Sequence, residues 1–258
     1  MRQVCIAVFA LMFTAISAQS QEAPFSGDWS KRLSLYGWVP GIKGDQTLPD
    51  GDPLIDLSSS DVLDALDGAF FGAAEFRNGR FGIIFDLAYA DLGQDGVARG
   101  TIIPGQDPAN ASADTTLWLG TAALAYRAFE EDGKWVDFYT GLRYYDVSAD
   151  FKFEIPSIGF EASLSEDSSW TDAIIGLRGH APIGGNYSIT GLVDAGGFGI
   201  GDSSDLSWEV LVTLDYAFSE NVIGRLGYRY MSIDKDGDRL DLDIELGGPL
   251  IGVTWTFW

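Results

Sequence analysis

Cysteine is all but missing from this chain of 258 residues: Cys5 is the only one, so neither a disulfide framework nor a thiolate zinc site can be assembled. Histidine is as scarce, with His180 alone. That leaves little for nucleophilic catalysis, which needs a base beside the nucleophile. Basic residues are few: 16 Lys and Arg stand against 38 Asp and Glu, for a formal charge of −22 and a pI near 4.1. So acidic a chain does not hold a phosphate backbone by counterion release, and nucleic acid is excluded as a partner. Long apolar runs are lacking too. The one candidate, Val4–Ile16, falls short of the about 20 residues that a helix needs to cross a ~30 Å hydrocarbon core.

Glycine and aromatics are abundant instead, with 32 Gly and 13% Phe, Trp and Tyr. The aromatics rule out a disordered acidic tail, and the combination suits an all-β protein of many short strands. At the start of the chain, Arg2, the apolar run Val4–Ile16 and the small-x-small site Ala18-Gln19-Ser20 read as a secretory signal peptide over residues 1–20. Its cleavage removes Cys5, which lies too early in the run to be a lipoprotein anchor. Residues 21–30 then form a short periplasmic segment, and 31–258 a single domain. A secreted chain without a spanning helix enters a membrane as a closed β-barrel, which satisfies every backbone group internally.

Alternation with period two is the test of that architecture. Past Asn78-Gly79, a two-residue turn signal, Phe81, Ile83, Phe85, Leu87 and Tyr89 share one face, while Gly82, Ile84, Asp86, Ala88 and Ala90 share the other. The first is a lipid face and the second a lumen face. Before the turn, Phe70, Ala74 and Phe76 go outward and place Glu75 inside. The same logic turns Tyr144, Tyr216, Tyr228, Tyr230, Trp255 and Phe257 outward, with Trp118 among the same belt of rings. A soluble sandwich would carry polar residues on that face; here the charges share a face with Gly and Thr. The strands number ten, beginning with Lys31–Val39 and ending with Ile251–Phe257. Short turns at 78–79, 130–133, 184–186 and 219–221 alternate with longer stretches at 41–65, 93–114, 147–169, 196–206 and 232–239. Short periplasmic turns and long, acidic extracellular loops are the outer-membrane pattern. Within 147–169 alternation persists, which extends that pair of strands beyond the membrane as a hairpin. Ser60–Leu66 reads as a capped helical turn or two.

Leu35-Tyr36-Gly37-Trp38 with Gly41 and Gly44-Asp45, Asp61–Leu66, Glu75–Gly82, Asp194–Gly201, Gly227-Tyr228-Arg229-Tyr230 and Gly248–Gly252 together resemble a widespread Gram-negative family of outer-membrane β-barrel proteins. The resemblance covers nearly all of the chain after the leader and implies fold and location; it brings no substrate. It also implies that the insertion machinery reads the last strand. Family members end at the aromatic that matches Phe257, so Trp258 is an addition.

Two motifs have plainer readings. Gly197-Phe198-Gly199-Ile200-Gly201 imitates a dinucleotide loop, but no helix follows it. Asp234–Asp238 imitates a calcium loop, but Arg239 stands where its sharp turn wants glycine, so a hairpin tip is the better assignment. No metal or cofactor is expected. The informative set is the inward charge: Glu75, Asp86, Asp137, Arg143, Asp172, Arg178, Asp194, Glu209, Asp215, Arg225 and Arg229. Both signs occur at each height, as ions held away from water require. Two functions fit such a network: a narrow passive pore for ions or small solutes, cation-preferring because acids outnumber arginines, or a non-conducting structural or adhesive barrel acting through its acidic loops. A lipid-modifying enzyme is a third, disfavoured by the lack of histidine. Outer-membrane lipids and lipopolysaccharide are the expected surroundings.

Overall fold

The computed structural model describes residues 28–47, 53–98, 109–155, 160–235 and 242–257. The expected signal peptide, most of the segment that follows it and the hairpin tip at Asp236–Asp238 lie outside the described residues. The elements are β1 (Trp29–Trp38), β2 (Gly41–Thr47), β3 (Pro53–Leu57), α1 (Ser59–Asp64), β4 (Leu66–Asn78), β5 (Phe81–Ala98) and β6 (Ala109–Glu131), then β7 (Lys134–Ile155), β8 (Phe160–Gly184), β9 (Tyr187–Gly197), β10 (Leu206–Ala217), β11 (Val222–Lys235) and β12 (Leu242–Phe257). Each strand pairs antiparallel with the next around the wall, and β1 pairs with β12 from Lys31↔Phe257 to Trp38↔Leu250, which closes a barrel of ten strands.

β2 and β3 are not extra staves. Gly41 faces Gly247 on β12 just as Trp38 faces Leu250, so β2 continues β1 in register across Val39-Pro40. Proline has no N–H to give the ladder, and the Val39 amide alone bonds Pro249 O at 3.2 Å. The strands approach so closely here that a Cβ on Gly248 would lie 2.0 Å from Val39 O. β3 then folds back on β2, and α1 follows. Its N-cap is Ser58, two residues before the expected start, because the Ser58 hydroxyl accepts from the Asp61 amide while the Asp61 carboxylate accepts from the Ser58 amide. The Ser58 hydroxyl, which also donates to the Asp61 carboxylate at 2.6 Å, and the Ser58 amide hold that carboxyl below its ordinary titration range.

Turn chemistry sets the opposite rim. Gly79 and Arg80 form the β4–β5 turn inside the closing pair Asn78↔Phe81, with Gly79 at φ +55°. The expected Asn78-Gly79 turn is thus one residue early, since Asn78 still belongs to the ladder. Asp132-Gly133 joins β6 to β7 with both residues at positive φ, the pattern whose twist matches a hairpin. The far rim departs from expectation at 93–114 and meets it at 147–169, where the strand pair extends as a hairpin. Most of 93–114 and 147–169 is strand: β5 and β6 pair out to Ala98↔Ala109, and β7 and β8 out to Ile155↔Phe160. At 22 and 25 residues, β7 and β8 are about twice the 9–11 that a tilted strand needs to cross a bilayer.

The outer face is apolar. Phe81, Phe85, Leu87, Tyr144, Tyr228 and Phe257 are exposed, and Ile83, Tyr216, Tyr230 and Trp255 are partly so. Tyr89 and Trp118 tilt together at 4.4 Å, as do Trp208 and Tyr230 at 4.9 Å. In water this surface would be untenable; in lipid it is the reason the barrel stays there.

The interior is layered. A charged tier near the short turns is followed by small and apolar residues, including Ile84, Ala123, Ala125, Ile174 and Leu192. A second charged tier comes next. Toward the long-strand end, Trp38, Leu119, Tyr145, Trp170, Met231, Ile233, Leu246 and Leu250 fill the barrel. That last layer is absent from the sequence expectation, which gave the lumen face to small residues and ions. Replacing Phe85, outward and 46% exposed, with Arg should cost about 2–4 kcal/mol of unfolding free energy in lipid. Reversible unfolding in lipid vesicles measures it, and an unchanged value would contradict the assignment of this face.

Candidate functional site

The second tier is built on strands β5, β7, β9, β10 and β11, whose inward positions converge at one height. Arg143 on β7 forks onto Asp194, with Nη1 to Oδ1 at 2.9 Å and Nη2 to Oδ2 at 2.7 Å. Its Nη2 also donates to Glu209 at 2.7 Å. Glu209 also pairs with Arg229, whose Nη2 donates to Oε2 at 3.1 Å while its Nε stands 2.9 Å from Oε1 as an ion pair without hydrogen-bond alignment. Arg229 continues to Asp86 at 3.4 Å. Two tyrosines complete the set: Tyr36 donates to Asp86 at 2.9 Å and Tyr139 to Asp194 at 2.7 Å. Arg143, Asp194, Glu209 and Arg229 are each at most 4% exposed, so the chain of ions crosses the lumen out of reach of bulk water. Of the acceptors open to Arg143, it takes Asp194 and Glu209 and leaves Asp86 to Arg229.

The first tier gathers around two acids. Glu75 accepts from Arg77 Nε at 2.9 Å and from Arg178 Nη2 at 2.7 Å. Asp137, fully buried, accepts from Arg178 Nη2 at 2.9 Å and also from Arg77 and Arg127. The Trp135 ring lies 4.4 Å from the Arg127 guanidinium carbon and 5.3 Å from that of Arg178, where its π face stabilises both cations. His180 stacks on the same ring at 5.6 Å, and its Nδ1 lies 3.0 Å from the Thr190 hydroxyl. Asp215 and Arg225 stand at the side of this tier, 3.8 Å apart.

Asp172 has a different role from the rest. It is fully buried, yet it accepts from the Ser204 amide at 2.8 Å and the Ser207 hydroxyl at 2.6 Å, and forms no ion pair among the described residues. With Trp170 donating to Ser204 Oγ at 2.8 Å, it pins the β9–β10 turn over β8. Gly197, Phe198, Gly199 and Gly201 in that turn all have positive φ, so the glycine pattern is a tight connection and not a phosphate loop.

Sequence reasoning missed Arg32, Arg77 and Arg127 as lumen cations and Tyr36 and Tyr139 as donors. The signal was parity. Arg77 lies two residues beyond Glu75 and Arg127 six beyond Thr121, so both share an inward face.

With the geometry in view, comparison with known proteins bears on the fold. The chain is similar to the outer membrane protease OmpT from Escherichia coli, at 12% identity and a TM-score of 0.52, over 93% of this chain and 100% of that one. It is similar also to the translocator domain of the autotransporter NalP from Neisseria meningitidis, at 13% identity, TM-score 0.46 and 90% of each chain, and to the attachment invasion locus protein Ail of Yersinia pestis, at 15%, 0.38, and 90% and 99%. No family model matches the chain, and no curated protein does. The fold is that of the Gram-negative outer-membrane β-barrels. Together with the apolar exterior, it makes this an integral barrel of that membrane.

Removing Arg143 strands Asp194 with a tyrosine alone and takes one of two cations from Glu209. In so dry a tier Arg143→Ala should cost about 3–5 kcal/mol. Urea unfolding of the refolded barrel checks this, and a variant as stable as the parent would mean that water reaches the tier.

Proposed function

We propose that this is a non-conducting outer-membrane barrel, acting at the cell surface through its extended hairpins. The observation that carries the reading is the double closure of the lumen. The Asp194–Arg143–Glu209–Arg229–Asp86 relay crosses it, and a layer containing Tyr145, Trp170, Met231 and Leu246 fills it beyond. An ion on its way through would have to part paired charges and then enter an apolar layer, where it has no partner. Between the pore and the structural barrel, this favours the barrel.

What extends beyond the membrane supports the surface role. The outer part of the β7–β8 hairpin carries Asp146, Asp150, Glu154, Glu161, Glu166 and Asp167, with Lys152 the one basic residue among its described positions. A rigid, acidic two-strand arm suits contact with cationic partners or divalent cations held by neighbouring lipopolysaccharide. Outer-membrane lipids remain the surroundings in this reading, and the insertion machinery the partner during assembly. No enzymatic role is included, since His180 is engaged with Thr190 and Trp135 at the rim.

Planar-bilayer recording of the refolded protein in symmetric potassium chloride tests the reading directly. No unitary current steps are expected from the wild type. Reproducible steps that are cation-selective would overturn it in favour of the narrow pore.

A further inference from the structure

In a closed barrel the strands on either side meet every backbone N–H and C=O, and β8 departs from that arrangement. β9 pairs with it from Gly184↔Tyr187 only as far as Ile174↔Gly196, and ends at Gly197. β8 runs on to Phe160 with β7 as its one neighbour, so the other edge of Phe160–Ala173 has no strand beside it among the described residues. The loop after β9 is tied to the foot of this stretch, through Ser204 on Trp170 and Asp172. Above that foot, residues 161–163 and 165–169 are exposed. The free edge Glu161–Ser169 is about 30 Å long, at ~3.4 Å per residue.

Alternation fixes which groups point out of this edge. The Ala217 amide donates to Asn186 O at 2.9 Å, in phase with the even-numbered residues of β9, so those bond to β10 and the odd ones to β8. Ala195 meets Ile175, which gives the groups that face away from β7 to the odd positions of β8. Along the free edge these are Glu161, Ser163, Ser165, Asp167 and Ser169. Natural edges are commonly blunted by proline, by bulges or by lysine. Between Phe160 and Ala173 there is no Pro, no Gly and no basic residue, and the β7–β8 register runs from Trp135↔His180 to Ile155↔Phe160 without a shift. Negative charge alone guards the edge. Glu161 stands directly opposite Glu154, and like charges so placed repel. A second copy set edge to edge would bring its own Glu161, Glu166 and Asp167 against the same acids, with no basic residue on either strand. The charge thus selects against self-pairing and for a cationic segment.

We propose that Glu161–Ser169 is a docking edge for an extended basic segment of another protein, which adds to β8 as a further strand. Main-chain bonds to the odd positions supply the affinity, and the charges supply the choice of partner. Glu161 and Asp167 lie six residues apart on one face, so the segment offers basic residues at that spacing on one face of its own strand. A cation beside Glu161 also relieves its repulsion with Glu154. Docking here rests on the surface role proposed for the β7–β8 arm; conduction plays no part in it.

The refolded protein in octyl glucoside is titrated into a fluorescein-labelled peptide of alternating Lys and Thr, about ten residues long, and binding is read by fluorescence anisotropy. A second peptide of the same sequence carries a methyl group on the backbone nitrogen of each Lys, which keeps the charge and removes the N–H groups that an added strand donates. The first peptide should bind saturably and the second about tenfold more weakly, since several main-chain bonds are lost together. Ser165→Pro, whose N–H takes no part in the β7 ladder, should refold as the parent does and weaken the first peptide about tenfold. Glu161→Gln/Asp167→Asn should weaken it too, with thermal stability undiminished because a like-charge pair is removed; this variant serves if proline disturbs the strand. An unchanged affinity there would overturn the choice of a basic partner. Equal binding of both peptides would overturn the added strand and leave a purely electrostatic arm, whereas binding of neither would overturn the cationic contact along with it. A wild-type dimer in sedimentation that Ser165→Pro abolishes would give the edge to a second copy and overturn the basic segment as its occupant.

Discussion

An ion inside a narrow barrel has to find its counter-ion across the lumen, and in this protein Glu209 is where that requirement is met. It lies 3% exposed between two guanidinium groups, and both depend on it. Because Arg143 also forks onto Asp194 and Arg229 also reaches Asp86, one carboxylate ties β7, β9, β10, β11 and β5 together. Coulomb attraction in a low-dielectric interior is strong, but it offsets desolvation only when the geometry satisfies most donors and acceptors. Here Tyr36 and Tyr139 add hydrogen bonds to Asp86 and Asp194. The tier thus fixes how far apart opposite walls stand, and the apolar layer beyond it can close around Tyr145 and Trp170, which stack at 4.8 Å.

The same requirement relaxes toward the periplasmic rim. Arg178 and Arg225 are partly open there, so water can substitute for a missing partner. The surface end obeys another logic. β7 and β8 run far past the hydrocarbon, and their pairing holds an acidic arm rigid without a covalent staple.

Alternation settled which way each strand faces, since side chains in a strand point to opposite sides in turn and lipid accepts only one kind. Phe81, Phe85 and Leu87 could face nowhere else, and with them Asp86 was committed to the interior. The short turns were legible because Asp132-Gly133 and Gly79 adopt backbone conformations that few other residues take readily. The inward residues of the upper layer were harder to read. Met231 and Ile233 follow Arg229 on the same face, but nothing local separates an apolar lumen plug from a strand that has left the membrane.

The sequence by itself determined the architecture, the facing of its strands and most of the ions inside, Arg32, Arg77 and Arg127 excepted, because those follow from period two and from the cost of placing charge in lipid. Only the tertiary structure decided which ions meet. Arg143 and Glu209 are 66 residues apart and on strands that are not neighbours, so their contact depends on the barrel's closure and shear. The same holds for Asp172, an acid on the inward face that serves two serines in place of an arginine, and for Arg225, whose acid was already bound by threonines. Local pattern gives each side chain a direction; the distance across the lumen gives it a partner.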